Sequence, residues 1–233
     1  MRPTSTTSLI PAPVGVCEFE FGSERVVLLP ERAVWWPKES SLFVTDLHLG
    51  KDATFRNAGI PLPHVFARDL AKLDQLIARL DPSRLIVLGD LIHARTGRGT
   101  AVINAVAEWR AGNEQLEMLL IRGNHDRHAG DPPQSWQIQC LDAPALIGPW
   151  NLVHTPTFEE ASPTLAGHLH PKYRLRRGSD ELRLPCFLRR NRTLVLPAFA
   201  EFVDHGFFSQ RPHDTIFVIA EMDVIEIRHS PSS

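Results

Sequence analysis

The first fifty residues break into short apolar runs, "CEFEF", "RVVLL", "AVWW" and "LFVT", divided by polar, Gly and Pro positions, a spacing that predicts several strands at the start of the chain. From His64 to Leu80 the rhythm changes. Val65, Phe66, Leu70, Leu73, Leu76, Ile77 and Leu80 recur at intervals of three and four, which predicts an amphipathic helix closed by Asp81 and Pro82. "RLIVLGD" follows as a buried strand. A second helix, Thr100 to Ala111 with Val102, Ile103, Val106 and Trp109 on one face, stops at Gly112 and leads into the strand "EMLLIRGN". Such alternation implies parallel strands with right-handed crossovers, and ligands of such sheets gather beyond the carboxyl ends of the strands. In the second half the β runs "NLVH", "TLAGH", "KYRLRR", "ELRLPCFL", "TLVLPAF", "TIFVIA" and "DVIEIR" carry little helical periodicity and predict a second sheet packed on the first.

Composition narrows the picture. With 233 residues, 43% of them hydrophobic, the chain can bury one sizeable core, so a single domain over residues 1–233 is expected, with residues 1–15 and 230–233 as frayed tails. A net charge of -2 gives no global reason to expect nucleic acid. A local patch does exist, because Lys172 to Arg192 holds Lys172, Arg174, Arg176, Arg177, Arg183, Arg189, Arg190 and Arg192 against Asp180 and Glu181. Cys17, Cys140 and Cys186 are odd in number and far apart, which excludes a disulfide framework and a zinc ribbon and suits a reducing, cytoplasmic compartment. No run approaches the roughly 20 apolar residues of a membrane span, so no membrane partner is expected.

The polar residues at the predicted strand ends form a set: Asp46 and His48 in "DLHLG", Asp90 in "GD", Asn124 and His125 in "GNHD", His154 in "VHTP", and His168 and His170 in "GHLH". Setting His125 aside leaves two carboxylates, one amide oxygen and four imidazoles. These are too many for one tetrahedral zinc and suit two divalent ions sharing a bridging oxygen. Gly89, Gly123 and Gly167 precede ligand candidates at points where a side chain would obstruct the turn. If these segments are extended, alternate residues face one side, so D-x-H and H-x-H can each present two ligands to one cluster.

The ordered elements D-x-H, GD, GNHD, H and GH-x-H resemble the calcineurin-like metallophosphoesterase superfamily from Asp46 to His170. The resemblance implies an α/β four-layer sandwich, two mixed sheets face to face with helices outside. It implies that Asp46, His48, Asp90 and His170 hold one ion, that Asp90, Asn124, His154 and His168 hold the other, and that Asp90 is the bridge. It further implies that His125 protonates the leaving oxygen while Asp126 orients its ring. Two divalent ions are expected as cofactors, with Mn favoured and Fe, Zn, Co or Ni compatible with the same ligands. His93, Arg95, Lys51 and Arg174 are candidate substrate contacts.

Within the superfamily, "DLHLGKDATFRNAGIPLP" with "LVHTP", "AGHLHP" and "LVLPAF" resembles the bacterial ligase-associated DNA damage response endonucleases. That resemblance implies a phosphodiesterase acting on DNA in repair, with a DNA ligase and a helicase as partners. After "LPAF" the chain departs from the subgroup, with Ala200 where a glycine is expected. The UDP-diacylglucosamine pyrophosphohydrolases share the "DLHLG" opening, but no apolar lid for acyl chains is visible. A small-molecule phosphodiesterase and a non-catalytic binding scaffold of the same fold complete the alternatives. A scaffold has no use for His125.

Overall fold

The computed structural model describes residues 15–51, 65–177, 179–201, 206 and 208–227, excepting the side chains of residues 65 and 177. The expected tails, His64, the "DATFRNAGIPLP" segment and most of the loop after Ala200 lie outside the described residues.

Seven strands form the first sheet in chain order: β1 (Cys17–Phe21), β2 (Glu24–Leu29), β3 (Ala33–Trp36), β4 (Ser41–Val44), β5 (Arg84–Val87), β6 (Glu117–Ile121) and β7 (Ile138–Leu141). The first four pair antiparallel, whereas β4, β5, β6 and β7 run parallel. Between the parallel strands stand the two expected helices, α1 (Val65–Leu80) and α2 (Thr100–Ala111). Their apolar stripes, with Leu70, Leu73, Leu76, Val102 and Val106, cover one face of this sheet against Leu42, Val44, Leu85, Val87 and Leu120.

The second sheet holds β8 (Ala145–Ile147), β9 (Trp150–Leu152), β10 (Thr164–Ala166), β12 (Asp180–Arg190), β13 (Thr193–Val195), β14 (Thr215–Ala220) and β15 (Asp223–Ile227). Strand β11 (Lys172–Arg177) adds a hairpin to the first half of β12. The strands β9, β10 and β13 are parallel and the rest antiparallel, so both sheets are mixed.

The sheets face each other across one apolar layer. Phe43, Ile86, Leu119 and Ile121 of the first pack against Trp150, Leu152, Leu165, Phe187, Leu194 and Phe217 of the second. Trp150 meets Trp36 and Phe43 edge-on, at centroid distances of 4.5 and 5.8 Å. This double-sided burial explains why the central strands read as unbroken apolar runs. The parallel strands of both sheets end on the same rim, and every chemical motif of the sequence lies there. No helix among the described residues is long and apolar enough to cross a membrane.

Candidate metal centre

Each ligand candidate stands just beyond a parallel strand. Asp46 and His48 follow β4, Asp90 follows β5, His154 follows β9, and His168 and His170 follow β10. Asn124 opens a short helix, α3 (Asn124–Ala129), directly after β6. The loops are laced by backbone hydrogen bonds, Asp46 N to Gly89 O at 3.1 Å, His48 N to Asp90 O at 2.9 Å and Gly167 N to His154 O at 3.0 Å. The glycines leave room for this: a Cβ on Gly123 would stand 2.2 Å from Asp90 Oδ1, and one on Gly167 would stand 1.9 Å from Thr45 Oγ1.

The D-x-H and H-x-H spacings work differently from the expectation. These segments are not extended. Asp46, His48, Asp90, His168 and His170 have φ of 54, 46, 54, 70 and 44°, all left-handed. For a residue with a Cβ this costs roughly 1–2 kcal/mol. The two ligands of each pair converge because the backbone curls around them, not because a strand pleat presents them.

Among the described residues three donor groups result, Asp46 with His48 and His170, Asp90 with His154 and His168, and the all-imidazole group His48, His93 and His125, each with its ligand atoms within 4.8 Å of one another. In the second set His154 Nε2 stands 3.2 Å from Asp90 Oδ2, 3.1 Å from Asn124 Oδ1 and 3.2 Å from His168 Nδ1. In the first, His170 Nε2 is 3.1 Å and His48 Nε2 is 3.8 Å from Asp46 Oδ1. Donors about 2.1 Å from an ion stand about 3 Å apart when at right angles, so these spacings fit first-row divalent ions. One atom shows the fit most plainly. Asp46 Oδ2 is satisfied by His168 N at 3.0 Å and Thr45 Oγ1 at 2.7 Å, whereas the buried Oδ1 takes part in no hydrogen bond of proper geometry. The ring of His154 is fixed from behind, its Nδ1 on Leu88 O at 2.8 Å, so that Nε2 faces the centre.

The electrostatics agree with this reading. Burial alone would raise the pKa of Asp46, but the His170, His154 and His48 rings outweigh it and hold the carboxyl at about 2. Asp90 is likewise held low, its burial outweighed by His154. Burial pushes His48 down to about 3 and His168 in the same direction, leaving both neutral as ligands must be. His154 behaves differently: burial opposes its charge, but Asp90 and Asp46 carry its pKa up to about 9. The two buried carboxylates thus favour positive charge at this point of the rim.

His125 stands beside both carboxylate-bearing sets. Its amide donates to Asp90 Oδ1 at 2.9 Å, its Nδ1 bonds His93 O at 2.6 Å, and its side chain is 37% exposed. The expected role of Asp126 needs correction. Its buried carboxylate accepts the backbone amides of Asp90 at 2.7 Å, Gly123 at 2.9 Å and Ile92 at 3.2 Å, and so ties the Asp90 turn to the Asn124 turn. The group that orients His125 is the His93 carbonyl, a backbone acceptor that no residue pattern reveals. The His93 ring also lies alongside that of His125, 5.1 Å away at an interplanar angle of 21°, and its Nδ1 is 3.4 Å from His48 Nδ1. Thr45, between Asp46 Oδ2 and Leu88 O, is a second supporting residue that the sequence did not single out.

The other candidate contacts diverge. Arg95 is engaged with His128 O at 3.0 Å, and Arg98 with Ala129, Gly130 and Asp131 carbonyls, so both fasten their loop to the end of α3. Lys51 closes the turn after His48 through its amide, 3.0 Å from His48 O. Arg174 lies on the β11–β12 hairpin, 3.6 Å from Glu181. Within the basic segment Arg190 is buried in a two-pronged pair with Asp214, both contacts 2.8 Å.

Known proteins can now be compared. The family profile of calcineurin-like phosphoesterases matches residues 40–230. Among solved structures, a nuclease from Pseudomonas putida, MPE, is 38% identical, superposes with a TM-score of 0.80, and is aligned over 91% of this chain and 100% of its own. A phosphoesterase from E. coli, Yfce, is 16% identical with a TM-score of 0.37 over 80% of this chain and 97% of its own. A search of curated proteins finds no match. With a rim that brings two Asp- and His-rich donor sets together, and a profile match over most of its length, this chain belongs to the calcineurin-like phosphoesterase family.

Proposed function

We propose that this protein hydrolyses phosphodiester bonds in nucleic acid, DNA first among the candidates. The observation that carries the reading is the pairing of two adjacent donor sets, each with a buried carboxylate, with a half-exposed His125 that neither of these two sets includes and that groups instead with His48 and His93. Asp46, His48, Asp90 and His170 would hold one divalent ion and Asp90, Asn124, His154 and His168 a second, which when bound would supply electrophilic charge toward phosphate oxygens and acidify water. The chain supplies the rest. His93 O holds the Nδ1 proton of His125, so Nε2 is the atom that delivers a proton to the departing sugar oxygen. The His125 amide fixes Asp90 Oδ1, which leaves Oδ2 for the centre. The likeness to the P. putida nuclease supports nucleic acid over a lipid pyrophosphate or a small diester.

Mn is the first ion to test, with Fe, Zn, Co and Ni after it. The expected result is release of p-nitrophenol from bis(p-nitrophenyl) phosphate together with nicking of supercoiled plasmid. Hydrolysis of the small diester with intact plasmid and intact oligonucleotides would remove the nuclease reading, and no hydrolysis with any of the ions would remove the phosphodiesterase reading. A repair role beside a DNA ligase and a helicase extends the proposal by subgroup resemblance, and co-purification of either with the tagged protein tests it.

A further inference from the structure

The hairpin of β11 and β12 is poorly balanced as a piece of folding. Arg174 is directly opposite Arg183 in the antiparallel register, a like-charge pair that costs stability. By strand alternation Lys172, Arg174 and Arg176 share a face with Glu181 and Arg183, so that within the hairpin itself four cations accompany one carboxylate, and Lys172 and Arg183 make further contacts. Glu181 is accordingly shared: Arg183 Nε is 2.7 Å, Arg176 Nε 3.1 Å and Arg174 3.6 Å from its oxygens. A hairpin selected only to stay in water would interleave the two signs. This one concentrates positive charge, and a local rule broken without a gain in stability marks a functional surface.

The charge borders a cleft of about 420 Å³, walled by Lys172, Tyr173, Arg174 and Arg183 on one side and by Gly206 and Phe208 on the other. Its floor belongs to the metal centre. Gly206 forms a parallel bridge with Pro171, and a Cβ on Gly206 would stand 1.5 Å from Leu169 O and 3.1 Å from His170 O. The cleft is therefore built against the backbone that carries His170. Tyr173 and Phe208 are half-buried and rest on the apolar cluster of Val218 and Cys186 at the edge of the cleft, Tyr173 alternating to the other face of β11 from Lys172 and Arg174. The cations on the near face suit the phosphate backbone of a nucleic-acid strand. The opposite half of the centre opens on its own cleft, of about 400 Å³, which contains Asn124, His154, Arg127 and Thr155. One cleft thus contains ligands of the second donor set and the other adjoins the backbone that carries His170, an arrangement suited to a substrate that continues on both sides of the scissile bond.

We propose that the cleft beside His170 binds the phosphodiester backbone of a polynucleotide a short distance from the bond that is cut, through Lys172, Arg174 and Arg183. The inference rests on the nuclease reading above. The test is steady-state cleavage of an oligonucleotide of about 20 nucleotides by Mn-loaded wild type, Arg183→Gln, Lys172→Gln, their double variant and the charge-keeping Arg183→Lys, in a salt series. The double variant is expected to raise KM about tenfold with kcat within about twofold, and to flatten the plot of log KM against log salt by about 1.4, two phosphate contacts on a single strand. Arg183→Lys is expected to keep most of the affinity. Unchanged KM and salt slope in the double variant would overturn the cleft while leaving the nuclease reading intact. So would a loss of kcat and melting temperature that Arg183→Lys shares, since that is the signature of a hairpin needed only for folding. Failure of the nuclease reading is seen separately, as wild type that turns over bis(p-nitrophenyl) phosphate and leaves the oligonucleotide whole, and it would overturn the cleft too.

Discussion

Two of the regions in which this molecule buries charge do so to opposite ends. Beneath the segment 197–201, Asp69 and Lys72 of α1 stand 3.8 Å apart, Lys72 donates to Phe199 O at 2.6 Å, and Arg32 donates to Ala200 O at 2.9 Å. Here each charge finds its opposite within the chain. Burial prevails over attraction in that group, pushing Asp69 up to about 6 and Lys72 down to about 8. At the metal centre, the neighbours that pull on Asp46 and Asp90 among the described residues are imidazoles rather than Lys or Arg, and their pKa values fall. In the first region the carboxylate has an ammonium beside it, although Asp69 Oδ1, like Asp46 Oδ1, takes part in no hydrogen bond of proper geometry; in the second the carboxylates face imidazoles. In these two regions the sign of the neighbours, rather than burial alone, separates the clamp from the donor sets.

The contrast can be broken by substitution. Asp90→Asn removes the carboxylate of the second donor set, the one proposed to bridge both ions. Metal content measured by elemental analysis should fall, and turnover should drop by more than about a hundredfold, whereas Asp69→Asn should keep the metal content of wild type. Next in size is His125→Asn. Metal content should be unchanged, and cleavage of a nucleic-acid strand, whose alkoxide leaves poorly, should fall by about 10²–10⁴. Release of p-nitrophenolate, which leaves without a proton, should suffer far less. Equal losses on both substrates would place His125 in a role other than proton donor.

Ion binding should stabilise only the region of the donor sets. Mn at about a hundred times its Kd should add about 2.7 kcal/mol, read as a rise of several degrees in melting temperature that Asp90→Asn abolishes and Lys72→Met does not. The smallest effect concerns pH and the clamp. Asp69, raised to about 6 from 3.8, keeps its proton in the folded chain after the unfolded chain has lost it, so its contribution to stability declines as pH rises from 4 to 6. Lys72, lowered to about 8 from 10.5, releases its proton first in the folded chain, so its contribution recovers above pH 8. Urea midpoints in the presence of a chelator should show the double variant Asp69→Asn, Lys72→Met gaining on wild type by about 2 kcal/mol between pH 6 and 8 relative to pH 4. A constant difference across that range would show that the pair is not the unfavourable one described.

Much of this was legible in residue order. Central strands such as "RLIVLGD" are buried on both faces, so they appear as continuous apolar runs, and the polar residue that ends each run is the ligand. The stripe of α1 was equally plain, because Leu70, Leu73 and Leu76 all face the sheet. Strands β7 and β8 were not foreseen, since their half-exposed side chains give no clear period. The curled backbone around the ligands was invisible too, because a residue such as Asp46 or His168 bears no mark of positive φ. The role of Asp126 was misread for a related reason: its partners are amides, which every residue owns.

The left-handed backbone of those five ligands bears on how a loss-of-function allele should be made. Alanine at Asp46 or His168 would inherit the unfavourable dihedral while giving up the contacts that repay it, so part of any defect would be misfolding. Asparagine visits that region more readily than other residues with a Cβ, and it keeps a polar atom near the original oxygen or nitrogen. In a complementation experiment, asparagine alleles at these positions report on chemistry, and alanine alleles report on chemistry and folding together.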